Sequence, residues 1–137
     1  MMIVLTGGIG SGKSQVCSIL SEMYGFHVYE ADAKVKELYC THPTLLADIE
    51  NCLDVSLQDN DGKFQATSLA QIIFKDSDAL IKVENIVFPA LIDDFQKWMS
   101  NLEDERPVIF ESATVLEKSQ FEGFGDMTVL VNAPYSI

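Results

Sequence analysis

Between Gly7 and Ser14 the chain reads Gly-Gly-Ile-Gly-Ser-Gly-Lys-Ser, which satisfies the pattern G-x-x-x-x-G-K-[ST] at every fixed position. Each residue type has a physical task. Without Cβ atoms the glycines let the backbone turn successive N–H groups inward, and the N-terminus of a following helix adds partial positive charge, so the segment can cradle a polyphosphate. The Lys13 ammonium is placed to bridge the β- and γ-phosphates, and the Ser14 hydroxyl to complete the shell of a magnesium ion. Gly8, Ile9, Gly10, Ser11, Gly12, Lys13, Ser14 and Gln15 are therefore assigned to the phosphates of ATP. At average residue usage the fixed positions coincide by chance in roughly one chain of this length in a few hundred. A dinucleotide fingerprint does not fit, because Lys13 stands where its third glycine would be.

Two carboxylates lie where such a site needs them. Asp32 follows an apolar run that ends near Tyr29, and ligands of parallel sheets gather at the carboxyl ends of strands. There it can orient an acceptor hydroxyl or take its proton during phosphoryl transfer; as Glu30-Ala31-Asp32 it can equally cap the next helix. Glu111 ends another apolar run and is a candidate for binding magnesium through water, or a plain surface carboxylate.

The elements that must position these residues alternate. Met2 to Thr6 reads as a buried strand stopped by Gly7-Gly8, and the helix that follows carries Val16, Ile19, Leu20 and Met23 on one face, with Gly25 closing it. Phe26 to Tyr29 is a second strand, and a helical stretch holds Val35 and Leu38. His42-Pro43 opens a segment with Leu45, Leu46, Ile49 and Leu53, and Asp59-Asn60-Asp61-Gly62 is a turn. From Asp76 to about Leu102, Val83, Val87, Leu91, Phe95 and Trp98 recur with helical period in one long helix, expected to bend at Pro89. Pro107 to Phe110 and Met127 to Val131 are the third and fourth strands. The expected fold is α/β, a P-loop NTPase-type parallel sheet flanked by helices, in a single domain over residues 1–137.

Composition narrows the partners. The chain has 137 residues, 47% hydrophobic and 22% charged, with a formal charge of -12. That charge repels nucleic acid, and no Lys/Arg cluster interrupts it. No segment is apolar for long enough to span a membrane, and the first residues lack the features of an export signal. Cys17, Cys40 and Cys52 are odd in number and show no C-x-x-C spacing, which favours reduced thiols, no zinc site and a cytoplasmic location, with Cys17 packed within its helix. Oligomeric state is not legible.

The residues resemble the dephospho-coenzyme A kinases. Leu5-Thr6-Gly7-Gly8-Ile9-Gly10-Ser11-Gly12-Lys13-Ser14 is similar to that family's first strand and loop nearly letter for letter. Asp32 looks like the second Asp of its Asp-Ala-Asp, and Asn85-Ile86-Val87-Phe88-Pro89 falls where it has Asn, an aliphatic residue and His-Pro. Asp61-Gly62, Ile73-Phe74 and Leu116-Glu117 match further stretches. The resemblance implies ATP- and magnesium-dependent phosphorylation of the ribose 3'-hydroxyl of dephospho-coenzyme A, with Asp32 and Lys13 catalytic and Thr6, Asp32 and Glu111 on the substrate side. It also implies a helical insertion, about residues 34–102, that receives the coenzyme A precursor.

The chain departs from the family pattern at Glu30, Phe88, Gln65-Ala66 and Ala113-Thr114, the last standing in place of Pro-Leu. Family members continue beyond Ile137 into an arginine-bearing lid and an adenine-contacting segment, so the sequence reads as a chain cut short. Arg106 is its one arginine, and losing an arginine that stabilises a transferring phosphoryl group can cost roughly 10³ or more in rate. Two alternatives follow: an ATP-binding module with little or no turnover, and a kinase for another small hydroxyl substrate such as a nucleoside or nucleotide.

Overall fold

In the computed structural model, which describes residues 1–8, 12–113, 118 and 121–131, the first apolar run forms strand β1 (Met2–Thr6). Helix α1 (Lys13–Tyr24) follows the glycine loop. Next come strand β2 (His27–Glu30) and helices α2 (Ala31–Thr41), α3 (Leu45–Leu53), α4 (Ala66–Lys75) and α5 (Ser77–Ser100). Strands β3 (Val108–Glu111) and β4 (Met127–Leu130) complete the order. The four strands form one parallel sheet in the order β2-β3-β1-β4. The chain divides into two compact units, Met1–Lys34 with Phe95–Ile137, and Val35–Asp94.

The first unit holds the sheet, and strand alternation sorts its residues onto two faces. On one face Leu5, Ile109 and Cys17 form a buried cluster, with Ile3, Val16, Leu20, Phe26, Val28 and Val129 packed against it. The other side is aromatic. The Phe110 ring lies 5.6 Å from Tyr29, 5.0 Å from Phe95 and 5.0 Å from Phe124, within the range where edge-to-face and offset pairs add to area burial. Phe95 is fully buried.

Of the face expected for α1, Val16 and Leu20 pack as read, and so does Cys17, but Ile19 and Met23 do not. Ile19 and Met23 are 50% and 72% exposed, and the stripe that meets the sheet is Val16, Cys17 and Leu20. These lie three, four and seven positions after Lys13, the face that Lys13 itself occupies. Gly25 ends the helix as expected. Its φ of 70° is left-handed, its N–H donates to the Ser21 carbonyl, and the Phe26 N–H donates to that of Leu20. A Cβ there would strike the Arg106 guanidinium.

The second unit is mostly helical. Leu38, Leu45, Ile49, Leu57, Leu69, Ala79, Val83, Val87 and Leu91 are its buried apolar residues, so the apolar period of α5 is packing, as read from the sequence. His42 anchors the start of α3, its Nδ1 accepting the N–H groups of Thr44 and Leu45 at 3.2 and 3.1 Å. The Asp59–Gly62 turn closes on a bond from the Gly62 N–H to the Asp59 carbonyl. It joins a short antiparallel bridge between Gln58 and Phe64, and Phe64 stacks on Tyr39 at 4.7 Å. That bridge and α4, as an element of its own, were not foreseen. No helix among the described residues is long and apolar enough to cross a membrane, and the three cysteines are free thiols.

Candidate active site

The site begins where β1 ends and α1 starts. Gly12 is the N-cap of α1 with φ 96°, and among the described residues no side chain caps the helix there. The left-handed φ requires glycine, and a Cβ built on Gly8 or Gly12 would meet nothing within 4 Å. The N–H groups of the first turn have no partner within the helix, and such orphan donors are the environment an anion seeks. Ser14 and Gln15 are exposed in that turn. Ile9, Gly10 and Ser11 lie outside the described residues.

Lys13 is the first residue of the helix, and its side chain is only 12% exposed. Its ammonium lies 3.7 Å from Glu111 Oε1 and 3.5 Å from the Gly8 carbonyl oxygen. Both separations exceed the roughly 2.7–2.9 Å of a well-formed charge-assisted bond. Neither of these two contacts holds the ammonium tightly, so little of either is lost when it turns to a phosphate.

Sheet register brings the carboxylates in. Glu111 at the end of β3 is the register partner of Glu30 at the end of β2 and of Leu5 in β1. Burial pushes the Glu111 carboxyl above its ordinary value, and the negative charge of Asp32 adds to the rise. Lys13 opposes this and does not overcome it, consistent with their 3.7 Å separation. Cys17, one turn beyond Lys13, is buried, and burial together with Glu111 and Glu30 raises its thiol to about 11. It is thus a packing residue and not a nucleophile at neutral pH.

Asp32 lies in the first turn of α2, where its charge also suits the helix dipole. Its carboxylate does more than a cap would. The Ser112 hydroxyl donates to Oδ1 at 3.0 Å and the Ala113 N–H donates to Oδ2 at 3.1 Å. Sequence reasoning missed Ser112, and no spacing could have signalled it, because its partner lies eighty residues earlier. Thr6 is buried at 3% exposure, with its carbonyl accepting the Val131 N–H at 2.8 Å. Lys13, Glu111 and Asp32 are brought together at one end of the sheet, and Thr6 closes the adjoining strand.

The donor set suits magnesium. Among the described residues no cluster of three His, Cys, Asp or Glu side chains could hold a metal alone, and magnesium characteristically takes one or two protein oxygens beside water and phosphate. The exposed Ser14 hydroxyl and the Glu111 carboxylate are hard oxygen donors of that kind. The arrangement is one in which a cation and helix amides receive phosphates beside two carboxylates able to accept a proton.

Known proteins are similar to this chain over nearly its whole length. The chain is 31% identical to the dephospho-CoA kinase of Aquifex aeolicus, covering 98% of this chain and 68% of that protein. It is 36% identical to the dephospho-CoA kinase of Porphyromonas gingivalis, covering 98% and 65%. The crystal structure of TT1252 from Thermus thermophilus superposes with a TM-score of 0.80 at 29% identity, over 98% of this chain and 66% of that one. The chain thus spans about two thirds of the length of these relatives. The model of the dephospho-CoA kinases matches residues 1–137, from the glycine loop through the strands that carry Asp32 and Glu111 into place, and the chain belongs to that family.

Proposed function

We propose that the protein transfers the γ-phosphoryl group of ATP to the ribose 3'-hydroxyl of dephospho-coenzyme A, giving coenzyme A and ADP. The observation that carries this reading is the meeting of Lys13, Glu111 and Asp32 at one end of the parallel sheet, beside the helix N-terminus that Gly12 begins. In the transfer a P–O bond forms to the 3'-oxygen, the bond from the γ-phosphorus to the β,γ-bridging oxygen breaks, and the hydroxyl proton passes to Asp32. The backbone from Gly8 to Gln15 and the Lys13 ammonium hold the phosphates where negative charge spreads during transfer. The Ser14 hydroxyl and, through water, Glu111 would hold magnesium, which would supply charge neutralisation. Thr6 and Glu111 border the acceptor, and the helical stretch of about residues 34–102 receives the coenzyme A precursor.

The experiment is a coupled measurement of ADP release with dephospho-coenzyme A, adenosine and nucleoside monophosphates offered separately. Selective turnover with dephospho-coenzyme A is expected. Selective turnover of a monophosphate overturns the acceptor assignment, and ATP binding with no turnover of any acceptor reduces the protein to a nucleotide-binding module.

A further inference from the structure

An aspartate that must meet a hydroxyl at a set angle has a mechanical difficulty. The terminal torsion of its side chain has broad, shallow wells, so a carboxylate anchored only through its Cβ samples many orientations. In this chain the carboxylate of Asp32 is held at both oxygens. Ser112 Oγ donates to Oδ1 at 3.0 Å, and the Ala113 N–H donates to Oδ2 at 3.1 Å. The two donors are consecutive residues, so they fix a plane and not merely a point. A carboxylate offers about four lone-pair sites, which leaves acceptor capacity for a substrate hydroxyl.

The donors are themselves anchored. Ser112 is buried, at 6% exposure, and its N–H donates to the Leu5 carbonyl at 3.0 Å. Leu5 belongs to β1, the strand that runs into the glycine loop. One short path therefore joins the strand feeding the phosphate cradle to the carboxylate on the acceptor side: Leu5 carbonyl, Ser112 backbone, Ser112 hydroxyl, Asp32. Such a path sets the separation between the phosphoryl donor and the base through rigid elements, the quantity on which near-attack geometry depends.

We propose that Ser112 is a positioning residue, which orients the Asp32 carboxylate through its hydroxyl so that Asp32 meets the acceptor hydroxyl in line with the cradled γ-phosphate. The proposal rests on the transfer reading given above for its catalytic consequence, and on geometry alone for the orientation. Ser112 touches neither the phosphates nor the acceptor in this scheme; it acts through Asp32.

The test compares the whole chain with Ser112→Ala in two measurements. Steady-state kinetics should show kcat reduced about tenfold or more, the scale of a misplaced reacting group, with KM for ATP unchanged. The Asp32 carboxyl-carbon resonance, assigned by its disappearance in Asp32→Asn, should move when the Ser112 donor is removed. Unchanged kcat overturns the proposal. So does a fall in kcat with an unmoved resonance, or one accompanied by a matching rise in the KM for ATP, since Ser112 would then act elsewhere than on Asp32. A wild-type chain inactive on dephospho-coenzyme A overturns the transfer reading and the catalytic consequence with it, and the resonance then decides separately whether Ser112 orients Asp32. Should Ser112→Ala fail to fold in a thermal melt, Ser112→Cys, of similar shape with a weak S–H donor, carries both measurements.

Discussion

The Lys13 ammonium and the Glu111 carboxylate stand 3.7 Å apart, both largely covered and neither well bonded to the other. A charge pair of this kind is held in readiness: each group keeps most of its capacity for a ligand that completes it. Replacing Lys13 by Ala leaves the glycine cradle without its cation. Turnover is expected to fall by roughly 10²–10³, the scale for removing one donor from a developing negative charge. Titration calorimetry with Mg·ATP should show binding lost or greatly weakened, and binding at wild-type strength would remove Lys13 from the phosphate site.

Glu111 gives a pH signature. Its carboxyl is raised above 4.5 by burial first and by Asp32 second, so the folded chain holds this proton to higher pH than the unfolded chain does. Stability tied to the neutral carboxyl is present at low pH and is lost as pH climbs from about 4.5 through the raised value. Glu111→Gln keeps the neutral form at every pH. The melting temperature of Glu111→Gln relative to wild type should therefore rise across that window, and a difference independent of pH would contradict the burial argument.

His27 and Asp104 make the opposite case on the acid side. The His27 ring lies 2.7 Å from Asp104 Oδ1, and that bond, followed by the Arg106 N–H, lowers the Asp104 carboxyl below its ordinary 3.8. A depressed carboxyl contributes stability that is present above 3.8 and disappears as pH drops through the lower value. Wild type should exceed Asp104→Asn in melting temperature near neutrality by a small margin, since the pair is exposed, and the margin should close below pH 3.8.

Phe95 sits fully buried among Tyr29, Trp98, Phe110 and Phe124. Truncation to Ala opens a ring-sized cavity in a close-packed aromatic cluster, and urea denaturation is expected to register a loss of about 3–5 kcal/mol. A loss under about 1 kcal/mol would mean that the cluster collapses into the space.

The legible part of the molecule was the part governed by local rules. The run from Met2 to Thr6 and the glycines after it dictate a strand, a turn and a helix start, and β1, the N-cap at Gly12 and α1 follow. Gly25 closes α1 for the same local reason. The period of α5 likewise identified Val83, Val87, Leu91 and Phe95 as buried. What escaped depends on contacts between distant segments. Ile19 and Met23 satisfy helical spacing as well as Val16 and Leu20 do, and only the rotation of α1 against the sheet exposes them. Asp32 was legible as a candidate because it follows a strand, but its hold by Ser112 and Ala113 arises from the adjacency of β2 and β3.

The pairing of β1 with β3 bears on how the protein is made. Met2 pairs with Val108 and Leu5 with Glu111, so β1 waits for this neighbour until the whole intervening chain has been synthesised. Non-local parallel pairing of this sort forms slowly. A nascent polypeptide halted before Pro107 would display the complete glycine motif yet lack Glu111, Ser112 and Ala113, the partners of Lys13 and Asp32. Translation itself thus delays the assembly of this centre.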